Sequence, residues 1–165
     1  MDKIVFITGA SSGIGAGCAR KFASQGASLI LNARNVNKLS ALKEELEKQY
    51  GAKIYLLPFD VRDRKAATSA LESLPKEWQS IDILVNNAGL VIGTDKEQEG
   101  SLDEWDIVID TNIKALLAMT RLIVPGMVER KRGHIINIGS IAGDAAYPGG
   151  SVYCATKAAV KALSD

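Results

Sequence analysis

Residues 4–15 read IVFITGASSGIG and point to the fold class of this 165-residue chain. The apolar run Ile4–Ile7 has the length of a buried strand, and the turn after it spaces Gly9, Gly13 and Gly15 as G-x-x-x-G-x-G. Glycines in such a turn let backbone N–H groups approach a pyrophosphate, whose charge the N-terminus of the next helix stabilises. A tight strand-to-helix turn also favours glycine without a ligand. The strand before and the helix after make dinucleotide binding the better interpretation.

Apolar runs of strand length alternate with helix-period segments along the rest of the chain, as in βαβ units with a parallel sheet. The predicted strands are Ile4–Ile7, Leu29–Asn32, Ile54–Phe59, Ile83–Asn86 and His134–Gly139. No repeat, linker or low-complexity tract interrupts this pattern. The sequence therefore predicts an α/β fold, a Rossmann-type doubly wound parallel sheet of strand order 3-2-1-4-5, in one domain over residues 1–165.

Apolar spacing also predicts the buried face of each helix. The predicted faces are Ile14, Cys18 and Phe22; Leu39, Leu42 and Leu46; and Ala67, Ala70, Leu71 and Leu74 before Pro75. A fourth helix begins at the capping box Ser101–Glu104. It is expected to run on continuously to a late kink at Pro125, with Trp105, Val108, Ile109, Asn112, Leu116 and Leu117 facing inward. A last helix is predicted over Val152–Asp165.

Composition and charge exclude several classes of protein. A chain that is 47% apolar and 24% charged is globular rather than disordered. A net charge of +1 provides no long-range field for nucleic acid or an acidic membrane. Cys18, Cys154 and the single His134 have no metal-site spacing, so we expect no metal and two free thiols. Free thiols and the absence of a signal peptide or membrane-span pattern favour the cytoplasm.

The cofactor preference is predicted from the end of the second strand. An NAD site has an Asp or Glu about 20 residues after the glycine turn, to bind the ribose 2′-hydroxyl. Here the sequence is Asn32-Ala33-Arg34-Asn35, with an arginine and no acid. A guanidinium fits a 2′-phosphate, so the sequence favours NADP over NAD.

Further polar residues follow the other strands. Asp60 and Val61 come after the third strand, the run 86–89 (N-N-A-G) ends the fourth, and Ser140 ends the fifth. Each alone is ordinary turn chemistry. The carboxyl ends of parallel strands meet at one edge, where open α/β sheets bind ligands, so these residues are expected to converge.

Tyr153 and Lys157 lie four residues apart on the last helix, on one face. An ammonium about 4 Å from a phenol interacts with it by roughly 4 kcal/mol at an effective dielectric near 20, enough to lower a tyrosine pKa toward neutrality. Such a tyrosine is a general acid or base at physiological pH. The pair alone occurs by chance on many helices, but together with Ser140 and the glycine turn it predicts an active site.

These motifs, with Asn112, resemble the short-chain dehydrogenases/reductases in order and spacing from residue 3 to the end. The resemblance implies that Tyr153 is the general acid/base and that Lys157 lowers its pKa and binds the nicotinamide ribose. Ser140 would bind the reacting oxygen, and Asn112 would hold a water in the proton relay. The cofactor residues implied are Gly9, Gly13, Ile14 and Gly15 at the pyrophosphate, Arg34 and Ser12 at the 2′-phosphate, Asp60 and Val61 at the adenine, and Asn87, Ala88 and Gly89 at the adenosine ribose and midsection.

Residues 74–90 and 125–140 resemble one subgroup, the NADP-dependent 3-hydroxy acid dehydrogenases acting on serine, L-allo-threonine or malonic semialdehyde. Two alternatives remain open: a 3-oxoacyl-carrier-protein reductase with the same catalytic residues, and a non-catalytic NADP-binding module. The resemblance also implies a homo-oligomer, a tetramer. Family members continue through further strands, so the resemblance predicts a chain that is incomplete at its C-terminal end.

Overall fold

Five parallel strands form the sheet in a computed structural model that describes residues 1–165. The strands are β1 (Ile4–Ile7), β2 (Ser28–Leu31), β3 (Ile54–Leu56), β4 (Ile83–Asn86) and β5 (His134–Asn137). Their spatial order is β3-β2-β1-β4-β5. The predicted α/β class and strand order are confirmed.

Six α-helices connect and cover the strands. They are α1 (Gly13–Ser24), α2 (Val36–Tyr50), α3 (Arg64–Glu72), α4 (Leu102–Ile109), α5 (Ala115–Glu129) and α6 (Ser151–Ser164). Three helices begin at a capping residue whose side chain accepts a hydrogen bond from a free N–H of the first turn. The capping residues are Asn35 for α2, Asp63 for α3 and Ser101 for α4. Gly51, in the left-handed region at φ 61°, ends α2.

Two apolar layers lie on opposite faces of the sheet, because successive strand residues point to opposite sides. Val5 and Ile7 pack with α1 and α2 in one layer, and Phe6 packs with Met119 of α5 in the other. All four side chains are almost completely buried. The central strands are therefore buried on both faces, as their continuous apolar sequence predicts.

The buried face of α1 differs from the predicted one. Its buried residues are Gly15, Ala16, Ala19 and Ala23, while Cys18 and Phe22 are half-buried and Ile14 is 63% exposed. The small side chains let α1 lie close to the sheet, and Ile14 stands at the helix start beside the carboxyl edge. The predicted face of α1 is therefore wrong, because small residues and not bulky ones form its contact with the sheet.

The predicted helix from Ser101 onward is not continuous α-helix. Residues 110–114 form a π-helical turn between α4 and α5. The turn contains one residue more than an α-turn, which rotates the following positions by about 100°. Leu117 is consequently 44% exposed rather than inward, whereas Asn112 is buried as predicted.

Strands β3 and β5 are shorter than predicted, ending at Leu56 and Asn137. After β3, the Asn32 side-chain amide donates to the carbonyl oxygens of Leu57 (3.0 Å) and Phe59 (3.1 Å). Side-chain hydrogen bonds from Asn32 thus take the place of backbone hydrogen bonds between strands at these two carbonyls.

A buried carboxylate ties three strands together at the amino edge. Asp82 is 4% exposed; its carboxylate accepts from the Ile4 N–H (2.9 Å) and from Arg132 (2.7 Å). The Asp82 carbonyl accepts from the His134 N–H (2.9 Å). Asp82 therefore connects the starts of β1, β4 and β5, at the edge opposite the polar residues described next.

Candidate active site

A cleft of about 1010 Å³ opens at the carboxyl edge of the sheet. It is lined by residues from the loops after all five strands and from α6. Its lining includes these predicted residues: Gly9, Ser12, Gly13, Ile14, Arg34, Asp60, Val61, Asn87, Ala88, Gly89, Ser140, Tyr153 and Lys157. Residues scattered over 149 positions thus meet in one place. Gly15 and Asn112 lie behind the lining.

The glycine turn lies against the loop after β4. Gly9 and Gly13 have φ values of 61° and 54°, in the left-handed region that favours glycine. A Cβ on Gly9 would lie 2.9 Å from the Ala88 Cα, and one on Gly15 would overlap the Gly9 carbonyl oxygen. Ser12 is the N-cap residue of α1, but its side chain accepts no hydrogen bond from the first turn, and that turn contains no acidic residue. The free N–H groups of α1 thus face the cleft with nothing to neutralise them.

Hydrogen bonds of Thr8 and Asn87 connect the loop after β1 with the loop after β4. The Thr8 hydroxyl oxygen accepts from the N–H groups of Asn87 (3.1 Å) and Ala88 (2.9 Å). The Asn87 amide donates to the carbonyl oxygens of Thr8 (3.1 Å) and Gly9 (3.0 Å). The Asn87 side chain therefore positions the glycine turn, and Thr8, which the sequence did not single out, is its partner.

Positive charge collects around Arg34. Arg34 and Lys38 both line the cleft, flanking the N-terminus of α2, whose first turn contains no acid. A lysine at a helix N-terminus opposes the helix dipole. The part of the cleft around Arg34 and Lys38, called here the Arg34 corner, is therefore complementary to an anion.

Asp60 and Arg62 form an ion pair at the Arg34 corner. Arg62 Nη2 lies 2.8 Å from Asp60 Oδ2, and the Arg62 N–H also donates to the carboxylate, at 2.9 Å. The hydrogen bond from Arg62 holds the pKa of Asp60 below its usual range, with a smaller contribution from Arg34. Asp60 is thus already paired within the protein. Its predicted contact with adenine would involve a carboxylate held in place by Arg62.

Ser140 begins a short 3₁₀ turn, Ile141–Gly143. Its Oγ accepts from the Ala142 N–H at 3.1 Å, which fixes the side chain and leaves the hydroxyl proton available to donate. The turn packs closely on α6, since a Cβ on Gly143 would meet the Lys157 carbonyl carbon at 2.8 Å. Ser140 is thereby held beside the helix that carries Tyr153.

Tyr153 and Lys157 share one face of α6 at the cleft. Lys157 Nζ lies 6.0 Å from the Tyr153 ring centroid and donates to the Ile138 carbonyl at 2.9 Å. Only 8% of Lys157 is exposed, and burial lowers the pKa of its ammonium. A Cβ on Gly89 would lie 3.5 Å from Nζ, so the absence of a side chain at 89 keeps the ammonium open toward the cleft. Two of its three N–H donors have no partner in the protein.

Asn112 is the one predicted catalytic residue whose side chain lies outside the cleft lining. Its Oδ1 accepts from the Leu90 N–H (2.9 Å), and its Nδ2 donates to the Leu90 carbonyl (2.9 Å) and the Thr156 hydroxyl (3.1 Å). Both amide hydrogens are therefore used within the protein. Its role in holding a water stays a prediction, and the amide hydrogens are not free to perform it.

Several residues of the cleft were not predicted from the sequence. They are Ser11, Asn32, Ala33, Asn35, Lys38, Phe59, Arg62, Leu90, Val91, Thr111, Ile138 and Gly139. Most adjoin a predicted residue, which was the available signal. Lys38 follows Arg34 by four residues and Arg62 follows Asp60 by two, so charge near a predicted anion site would have identified both.

The family model for short chain dehydrogenases matches residues 3–165. The chain belongs to this family. The NADP-dependent 3-hydroxy acid dehydrogenase YdfG of Escherichia coli O6:H1 is 50% identical over 161 residues, which are 98% of this chain and 63% of the relative. The chain thus spans less than two thirds of the length of that curated relative.

Solved structures give the same relationship. The crystal structure of serine dehydrogenase from Escherichia coli superimposes with a TM-score of 0.91 at 49% identity, covering 97% of this chain and 72% of that one. The closed form of serine dehydrogenase complexed with NADP+ gives a TM-score of 0.90 at 48% identity, covering 97% and 63%. The predicted family is confirmed.

None of the helices of the chain combines the length and apolar character needed to cross a bilayer. No group of three or more His, Cys, Asp or Glu side chains is arranged to hold a metal ion.

Proposed function

We propose that the protein carrying this chain transfers a hydride between NADP and a small 3-hydroxy acid, such as serine, L-allo-threonine or 3-hydroxypropionate. One observation carries the proposal: Ser140, Tyr153 and Lys157 line the same cleft as the glycine turn and Arg34. A relative at 50% identity is named an NADP-dependent 3-hydroxy acid dehydrogenase, which supports the substrate class.

The cleft fits a dinucleotide on its own geometry. A Cβ at Gly9 or Gly15 would fill the space against the loop after β4, and the free N–H groups of α1 suit a pyrophosphate. Gly9, Ser12, Gly13, Ile14 and Gly15 would form this cradle, with Gly15 acting through close packing. When bound, NADP supplies or accepts the hydride.

The chain's own residues perform the proton chemistry. Tyr153 exchanges a proton with the substrate oxygen, as general acid in reduction and general base in oxidation. The ammonium of Lys157 stabilises negative charge that develops at the reacting oxygens and binds the nicotinamide ribose with its free N–H donors. Ser140, with its proton unused by the protein, donates to the reacting oxygen.

Preference for the 2′-phosphate comes from the corner at Arg34. Its guanidinium would bind the phosphate bidentately, with Ser12 as a second contact. Asp60 and Val61 would adjoin the adenine, and Asn87, Ala88 and Gly89 the ribose and midsection. No carboxylate other than the paired Asp60 lines the cleft to favour a ribose hydroxyl instead.

The substrate distinguishes this proposal from the alternatives. A 3-oxoacyl-carrier-protein reductase would use the same catalytic residues on a long acyl chain, and a binding module would not turn over. The intact Ser140, Tyr153 and Lys157 favour turnover, because cofactor binding alone needs no general acid. Location in the cytoplasm and assembly as a homotetramer complete the proposal; the exposed Leu102 (71%) and Val128 (68%) on α4 and α5 suit contact between subunits.

Turnover of serine, L-allo-threonine and an acetoacetyl thioester, each with NADP(H) and NAD(H), tests the proposal. We expect oxidation of the hydroxy acids with NADP, and activity on the thioester alone would contradict it. Tyr153→Phe should lower turnover by about 10²-fold or more, the contribution of general acid catalysis, while NADPH binding by fluorescence changes less than about twofold. Unchanged turnover in this variant would refute the role of Tyr153.

A further inference from the structure

Thr156 lies between the two catalytic positions of α6, and only 1% of it is exposed. Its hydroxyl donates to the Tyr153 carbonyl at 2.7 Å and accepts from Asn112 Nδ2 at 3.1 Å. The single hydroxyl proton goes to Tyr153, so the oxygen is left as the acceptor for Asn112. One oxygen atom therefore links α6 to the π-helical turn.

Asn112 extends this link to the loop after β4. Its amide faces the N–H and the carbonyl of Leu90 together, both at 2.9 Å. A flipped amide would put donor against donor and acceptor against acceptor, so the orientation is fixed. Leu90 lines the cleft directly after Gly89. The position of this part of the cleft wall is thus set by a chain of hydrogen bonds that ends at Thr156.

We propose that Thr156 is a positioning residue, whose hydroxyl orients Asn112 and thereby fixes the Leu90 backbone relative to Tyr153 and Lys157. Nothing else in the protein accepts the second Nδ2 hydrogen of Asn112, which is 2% exposed. Without the hydroxyl this buried donor is unsatisfied, and the amide loses the contact that holds it against Leu90 from the side of α6. The consequence for turnover rests on the proposed function, whereas the consequence for Leu90 does not.

Amide hydrogen exchange at Leu90 tests the contact directly. Thr156→Val keeps a β-branched side chain and removes the hydroxyl. We expect exchange at Leu90 to become about tenfold faster, with the core amides of Val5 and Leu29 unchanged. Thr156→Ser should restore the wild-type rate. Unchanged exchange at Leu90 in Thr156→Val would overturn the proposal, and Thr156→Ala gives the same comparison if the valine variant does not fold.

Thr120 provides a matched control on α5. Its hydroxyl also donates to a carbonyl of its own helix, that of Leu116 (2.7 Å), and accepts from a buried asparagine amide, Asn86 Nδ2 (3.1 Å). Thr120→Val should leave exchange at Leu90 unchanged. Equal acceleration in both variants would show a general loss of stability and overturn the proposal.

Kinetics separate positioning from mere packing. In the protein carrying this chain, Thr156→Val should lower kcat about tenfold while the Kd for NADP and the melting temperature stay near wild type. Thr156→Ser should recover kcat. An unchanged kcat overturns the positioning role. If the wild type itself shows no turnover, the proposed function fails, and exchange at Leu90 still decides the role of Thr156.

Discussion

Arg34 is exposed at the corner of the cleft and forms none of the ion pairs of the chain. Its neighbour Arg62 is different, because that guanidinium is already engaged by Asp60. Arg34 therefore has a guanidinium that is free to bind a ligand phosphate, beside Lys38, which also lines the cleft without an ion pair.

Replacing Arg34 should therefore change the cofactor preference. Charge-assisted hydrogen bonds contribute about 1.5–3 kcal/mol, so Arg34→Gln should weaken NADP binding by roughly 10- to 100-fold. Binding of NAD, which lacks the 2′-phosphate, should change by less than about twofold. Isothermal titration with both cofactors measures the ratio.

Arg121→Gln is the control, because Arg121 is also exposed and does not line the cleft. It should leave both affinities unchanged. Equal losses of NADP and NAD affinity in Arg34→Gln would mean that Arg34 does not bind the 2′-phosphate.

At the scale of residues, the sequence located the site because its motifs follow strand ends. Ser140 could be predicted at this edge because it follows a strand, and Tyr153 because it lies at the start of the last helix, four residues before Lys157. The engagement of Asn112 by Leu90 could not, because it depends on the rotation that the π-helical turn introduces. The pairing of Asp60 with Arg62 depends on a side-chain rotamer, which no spacing specifies.

Among the elements, the starts of β1, β4 and β5 depend on the buried carboxylate of Asp82. Burial alone would raise its pKa, but the hydrogen bonds from the Ile4 N–H and Arg132 outweigh burial and hold the pKa below its usual value. A carboxyl group with a lowered pKa in the folded state stabilises the fold above its unfolded pKa. That stability is lost as the pH falls through the folded pKa.

Asp82→Asn should thus lower the free energy of unfolding by about 1–3 kcal/mol near neutral pH. The ion pair contributes only a small part of this, because the Arg132 side chain is 61% exposed and water screens its charge. The difference between wild type and variant should be constant above about pH 5 and shrink below about pH 4. Urea unfolding across this pH range measures it. Glu44→Gln, an exposed carboxylate without an ion pair, should show no such trend, and a pH-independent difference for Asp82→Asn would contradict the explanation.

Element boundaries show which sequence signals were sufficient. Strands β1 and β4 begin and end as predicted, since β1 is fully apolar, β4 is apolar up to its last residue Asn86, and both are bounded by polar residues. The inner face of α1 was mispredicted because contact with the sheet required small residues, Ala16 and Ala19, rather than large ones. Periodicity indicates which residues share a face but not how closely that face approaches its partner.

For the molecule as a whole, β5 is an edge of the sheet with β4 on one side only. The N–H groups of His134 and Ile138 bind the β4 side, to the carbonyls of Asp82 and Asn86. Alternate residues of a parallel strand point their N–H groups to opposite neighbours. The N–H groups of Ile135 and Asn137 therefore point outward, where another strand can pair with them.

The isolated 165-residue chain should self-associate with increasing concentration through this edge. Ile135→Pro removes an outward N–H without removing a bond to β4, and should reduce association by more than half. Sedimentation velocity over a concentration series measures it. Ile135→Ala, which loses apolar surface but keeps the N–H, should associate like wild type. Equal association of the two variants would show that the chains do not associate through the β5 edge.

The position of Asp82 has a consequence for engineering the protein. Its contacts secure the amino edge of the sheet, whereas every group proposed for cofactor recognition lies at the carboxyl edge, with the full strand length between them. Substitutions at sites so separated contribute independently to stability. Substitutions around Arg34 can therefore be used to redesign the cofactor preference. Any stability that they cost can be restored separately, by substitutions that strengthen the strand starts.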